Sequence, residues 1–259
     1  GTASGGGILS MESFSNQLYV GGTFTSFGGA TGFRIARWNG TTWQEVANSG
    51  AVGASVRSLI NLNNELLAGG EMSSFGGVAN TSNVARWNGT SWRSTVEGIE
   101  QGFSILALHS FNNEVVASGN FTRLGGTDVQ NIARLDGSPW SAFGSGLSAV
   151  MYSFLAHNGQ SFAGGSFAAS GVSHAGVARW DGQAWQAVGA AMGSPTIRAL
   201  AVYNGDIIAG GAFTTVGGVT MNRIARWDGA GWHPLGTGMN SDIHALTVYG
   251  GELIAGGQF

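Results

Sequence analysis

Five arginines and five tryptophans recur along this chain at a nearly constant spacing, and they are the side chains with which it could do chemistry. Arg37, Arg86, Arg134, Arg179 and Arg226 are separated by 45 to 49 residues, and Trp43, Trp92, Trp140, Trp185 and Trp232 each follow six residues later. An indole face can cover the apolar side of a pyranose, so the tryptophans are candidate glycan-binding residues. The competing reading is burial between sheets, where aromatic side chains are large stabilising terms. The arginines offer a fork of N–H donors suited to carbonyls or carboxylates. A residue needed at one site need not recur in every unit, so the arginines are expected to be structural, donating between neighbouring sheets.

Other constellations exclude more than they support. His109, His157, His174, His233 and His244 fall at unrelated positions and never in a His-Glu-x-x-His pattern, so neither zinc ligation nor a hydrolase triad is expected. Asn39, Asn88, Asp136, Asp181 and Asp228 each precede a glycine and read as turn residues, not as the alternating acids of a calcium loop. No Gly-Lys-Ser/Thr follows any glycine pair, so a nucleotide site has no basis. Cysteine is absent, which removes thiol catalysis and thiolate metal sites. The chain is therefore expected to have no catalytic residues, no cofactor and no metal. Asn39, Asn80, Asn88 and Asn120 each begin Asn-x-Ser/Thr and are candidate N-glycosylation positions in a secretory pathway.

The chain has 259 residues, of which 43% are hydrophobic and 10% charged, enough to bury a large core. Its net charge is −3 and all eleven cations are arginine. No basic stripe could neutralise a run of phosphates, so nucleic acid is not an expected partner. No apolar run is long enough to span a bilayer, so no membrane insertion is expected in this segment. The opening Gly-Thr-Ala-Ser lacks a methionine or a signal-peptide core, and the sequence is expected to be a segment of a longer native chain. Low charge, the absence of lysine and many short polar turns suit an extracellular or cell-surface scaffold.

The elements that must position these residues follow from the period. Apolar runs end at Gly21, Gly69, Ser118, Gly164, Gly210 and Gly256, each followed by a second glycine. A period near 47 residues is that of one four-stranded antiparallel propeller blade. In the fifth copy Ile197 to Tyr203 reads as a first strand, Asn204-Gly205 as a tight turn and Ile207 to Gly211 as a second strand. Arg223 to Trp227 and Trp232 to Leu235 complete the unit. The same plan runs from Ile8 through Val46, Val56 through Val96, Ile105 through Phe143 and Tyr152 through Val188. Ile243 to Gly257 begins a sixth. The expected fold is all-β: a single β-propeller domain over 1-259, with five complete blades and one partial blade, most consistent with six. An unpaired blade edge exposes N–H and C=O groups and invites self-association through the C-terminal half-blade.

The glycine pair ending the second strand, an aromatic near the end of the third and a tryptophan opening the fourth resemble kelch-type propeller repeats. In this chain those residues are Gly21-Gly22, Trp38 and Trp43, then Gly69-Gly70, Trp87 and Trp92. The hairpin between the two aromatics is shorter than in that type, and the long connection carries Phe-Thr-x-x-Gly-Gly. This variant is similar to repeats of secreted bacterial multi-repeat proteins and of Rax2-like cell-surface polarity markers. The resemblance implies a propeller and no common catalytic set. The expected function is a non-enzymatic extracellular or cell-surface module presenting loops to a protein or glycan. The alternatives are a multivalent lectin with repeated sites between blades, and a filament or multimer joined through the incomplete blade.

Overall fold

The computed structural model describes residues 2–259 except 31–33, 47–51, 96–103, 138, 170–172, 174 and 194–195; of Val52 it describes the backbone alone. Two compact units are formed, Gly1–Phe143 and Gly144–Phe259. The first contains three four-stranded sheets: Ile8–Phe14, Gln17–Gly22, Ile35–Trp38 and Trp43–Glu45; Val52–Leu62, Glu65–Ser74, Val84–Trp87 and Trp92–Ser94; Ser104–Phe111, Glu114–Asn120, Ile132–Leu135 and Trp140–Ala142. The second contains Met151–His157, Gln160–Gly165, Val177–Trp180 and Trp185–Ala187; then Ile197–Tyr203, Asp206–Gly211, Ile224–Trp227 and Trp232–Pro234; then the two-stranded sheet Ile243–Tyr249 and Glu252–Gly257. Within every sheet the strands pair antiparallel in chain order. These are the five complete blades and one partial blade, and the predicted strands of the fifth copy lie within one residue of those observed. Val96, the predicted end of the second blade, lies outside the described residues, as does His174.

The hairpins joining first and second strands turn through residues at positive φ, such as Asn204 at 52° and Gly205 at 85°. Asn-Gly tolerates this conformation and so fixes the register Tyr203↔Asp206.

The glycine pairs are strand residues in close quarters, and the two members answer different constraints. A Cβ on the first would strike the next blade: 2.6 Å from Val56 Cγ1 at Gly21, and 2.7 Å from the Cγ2 of Ile105, Ile197 and Ile243 at Gly69, Gly164 and Gly210. A Cβ on the second would strike the carbonyl oxygen of its own first strand, at 2.0 Å from Ser55 for Gly70 and 1.9 Å from Thr196 for Gly211. The register of first against second strand slips by one residue at this level in all six blades, for example between Val56 and Ser58 and between Ile197 and Ala199. The extra residue of such a bulge pushes the first-strand backbone toward its partner, and only glycine leaves room for it.

Between neighbouring blades within each unit the cores are apolar. Phe14, Tyr19 and Ile35 of the first blade pack with Leu59, Leu66 and Trp87 of the second. Phe162 and Val177 of the fourth pack with Ile197, Leu200 and Ile207 of the fifth. Polar links supplement them: the Leu59 and Leu108 amides donate to the Ser10 and Ser58 hydroxyls of the preceding blade, both at 2.9 Å.

Candidate functional site in a cleft between two blades

The repeated third-strand arginine sits directly across from an apolar second-strand residue, in the pairs Arg86↔Leu67, Arg134↔Val116, Arg179↔Phe162 and Arg226↔Ile208. Strand alternation therefore places it on the same blade face as the Ile or Val two positions earlier, as expected. Its partner is different from the expected one. Arg86 meets Glu65 at 3.3 Å, Arg134 meets Glu114 at 3.8 Å, and Arg226 meets Asp206 at 2.7 Å. Each acid is the diagonal cross-strand neighbour two positions away in the same sheet, within reach of a long side chain. The ion pair thus closes inside a blade and does not bridge two.

Blade four breaks this pattern. The diagonal position is Gln160, and among the described residues no carboxylate lies within ion-pair distance of Arg179, which is exposed. Arg37 of blade one likewise faces a glutamine, Gln17, but it is half-buried and its Nε is enclosed.

Arg179 lines a cleft of about 520 Å³ between blades four and five, both within the second unit. Its floor is Phe162, Val188 and Ile207, all buried. The hairpin turn of blade four contributes His157, Asn158 and Gln160; the third-to-fourth turn of blade five contributes Trp227 and Asp228. His157 Nε2 lies 3.2 Å from the Gly205 carbonyl and 3.0 Å from Asn158 Nδ2. It can donate to the carbonyl or accept from the amide, but not both at once, so tautomer and rotamer are coupled at the rim. Asp228 Oδ1 accepts from the amides of Ala230 and Gly231, both at 2.9 Å, while Oδ2 lies 2.7 Å from His233 Nε2. The two amides, with a smaller contribution from His233, hold its carboxyl down to about 2, so it is ionised at all ordinary pH values. The cleft presents one free cation, one fixed anion, several neutral donors and acceptors, and an indole edge.

The fourth-strand tryptophans lie elsewhere. Each stands across from the last residue of the third strand, and the pairs Trp38–Trp43, Trp87–Trp92, Trp180–Trp185 and Trp227–Trp232 have ring centroids 5.2 to 5.5 Å apart. In the third blade Leu135 faces Trp140. Trp92, Trp140 and Trp185 are only 4, 1 and 4% exposed, and their faces lie against protein. Trp43 and Trp232 are half-buried, and Trp232 Nε1 donates to the Val188 carbonyl of blade four at 2.8 Å. The cleft takes its indole from the third strand, through Trp227. That residue and Arg179 were not singled out as a site by the repeat itself; the signal was Gln160 standing where three other blades carry an acid.

The Asn/Asp-Gly positions behave as turn residues. Asn39, Asn88, Asp181 and Asp228 each accept two backbone amides through Oδ1 at 2.8 to 3.0 Å. Asn39, Asn80, Asn88 and Asn120 are all exposed. Among the described residues no group of three His, Cys, Asp or Glu side chains could hold a metal ion. Among the described residues no helix is long and apolar enough to cross a membrane.

With this geometry in place, comparison with known proteins decides the fold. Residues 15–40 and 204–228 match the model of a domain of unknown function, DUF5122, described as a beta-propeller. The fold is a β-propeller. The matched segments each run from a first-to-second-strand hairpin to the third-to-fourth turn, in the first and fifth blades. No curated protein matches the chain. Among solved structures, a computationally designed protein, Ika8, is similar with a TM-score of 0.57 at 18% identity, covering 96% of this chain and 67% of that one. The extracellular domain of a hybrid two-component system from B. thetaiotaomicron is similar with a TM-score of 0.56 at 12% identity. That match covers 93% of this chain, which spans only 30% of the other. At these identities the likeness is one of fold.

Proposed function

We propose that this propeller is a non-enzymatic interaction module, extracellular or displayed at a cell surface, that holds a glycan or protein ligand at its loops, with the cleft between blades four and five as the principal site. The observation that carries this reading is the cleft itself: an apolar floor, a rim of convergent polar groups, and an exposed arginine without the acid that neutralises three of its counterparts. A volume of about 520 Å³ falls within the roughly 300–1,000 Å³ common to small-molecule sites. The extracellular setting of one structural neighbour and the low charge of the chain support the location. Kelch-like character remains part of this reading through the glycine pairs and the facing aromatics. The exposed Asn39, Asn80, Asn88 and Asn120 would be open to glycosylation if the protein passed through a secretory pathway.

A lectin with equivalent sites in every blade is the weaker form, because three of its five tryptophans have buried faces. A glycan array probed with the intact chain and with His157→Ala tests the proposal. Saturable binding reduced by His157→Ala is the expected result. Binding untouched by that change would move the ligand away from this cleft, and no glycan binding by a folded sample would leave a protein ligand.

A further inference from the structure

In blades two, three and five an acid stands diagonal to the third-strand arginine, whereas in blade four a glutamine does, beside an exposed arginine, and the charges of this cleft then specify a ligand. Glu65, Glu114 and Asp206 hold the arginines of blades two, three and five, whereas Gln160 leaves the Arg179 guanidinium exposed at the rim. A guanidinium offers paired N–H donors that match a carboxylate in a bidentate fork. Across the cleft, Asp228 is a fixed anion held by the Ala230 and Gly231 amides. It would repel a polyanion or a phosphate dianion, yet it can accept hydrogen bonds from hydroxyl groups. The neutral groups of Asn158, Gln160 and His157 suit further hydroxyls, and Trp227 offers an indole for the apolar face of a ring.

Resting on the reading that this cleft binds a ligand, we propose that it takes a sugar carrying a single carboxylate, with the carboxylate on Arg179 and the hydroxyls toward Asp228 and the blade-four hairpin. A carboxylate alone would leave Asp228 and the indole unused, and a neutral sugar would leave Arg179 unmatched.

Calorimetric titration of the intact 259-residue chain with D-glucuronate, D-glucose and acetate tests this. Glucuronate should bind saturably and at least tenfold more tightly than either of the others. Gln160→Glu recreates the acid of the other blades, so it should weaken glucuronate at least tenfold while keeping the circular dichroism spectrum and melting midpoint. Arg179→Met should do the same by removing the cation. Equal binding of glucuronate and glucose, or glucuronate binding unchanged in both variants, overturns the acidic-sugar assignment while the ligand-binding reading stands. If none of the three binds to folded protein, the assignment fails, and glycan-array data decide separately whether the broader reading fails with it.

Discussion

Arg86 in blade two and Arg179 in blade four occupy the same register position on the same face of their four-stranded sheets, yet one is closed in an ion pair and the other stands exposed. Arg86 is shared with Glu65, which also meets Arg93, so three charges close on one another within a sheet. Arg179 meets Gln160 and opens into a cleft. Where blade two carries a carboxylate at the diagonal position blade four carries an amide, and the surroundings of the two arginines differ accordingly. In a repeat protein the common residues specify the scaffold, and a departure from the repeat at an otherwise paired position points to function.

The most damaging way to break the comparison is to attack what the two blades share. Gly70→Ala would place a Cβ 2.0 Å from the Ser55 carbonyl oxygen, and Gly165→Ala would place one 2.3 Å from that of Val150. Backbone atoms cannot swing aside as a side-chain end can, so each change should cost about 3 kcal/mol, the upper end for overpacking. Chemical denaturation should give similar losses for both. A large difference would mean that the scaffold is not equivalent in blades two and four.

A titratable residue separates the blades next. His109 stands at a first-strand position held by Ile60 in blade two and Leu155 in blade four, and burial pushes its pKa from 6.5 down to about 4. The unfolded chain then binds the proton first. The stability associated with neutral His109 is complete above about pH 6.5 and is lost as pH falls toward 4, by an amount on the order of 3 kcal/mol. His109→Leu, which copies blade four, should flatten that part of the stability profile. Equal pH dependence in both proteins would assign the effect to other groups.

Glu65→Gln converts blade two toward blade four. It removes the carboxylate that serves Arg86 and Arg93, on side chains that remain partly exposed, and should cost about 1–2 kcal/mol. A midpoint unchanged by Glu65→Gln would show that the triad contributes little and that the contrast with Arg179 is one of accessibility alone.

Much of this organisation was legible in the sequence because it repeats. The hairpin Asn-Gly, the glycine pair and the facing tryptophans mark strand ends to within a residue in the fifth blade, since turn chemistry and steric room are local demands. The arginine's face was also legible, because alternation dictates it. Its partner was not: the Arg226–Asp206 pair depends on a diagonal register across two strands that only pairing reveals. The cleft was hidden for a related reason. Gln160 is an ordinary polar residue until it is set against Glu65, Glu114 and Asp206, and Trp227 reads as one more aromatic until the turn beside it is seen to wall a cavity. The division of labour between the two glycines of each pair likewise needed the bulge in three dimensions.

The smallest expected effect tests whether turn residues carry any of the difference. Asp181 of blade four and Asn88 of blade two occupy the same turn, and in both Oδ1 accepts two backbone amides at 2.8 to 2.9 Å. Asp181→Asn keeps that acceptor, so the melting midpoint at neutral pH should not move. What it removes is a charge whose pKa is lowered by the Ala184 and Gln183 amides and by Gln186. A lowered carboxylate stabilises the fold above its unfolded pKa, and that contribution disappears as pH falls through the folded value. Acid titration of Asp181→Asn should therefore run flatter than that of the parent below the ordinary carboxylate range. A shifted midpoint at neutral pH would show instead that the negative charge itself, absent from the blade-two turn, helps to hold the blade-four turn.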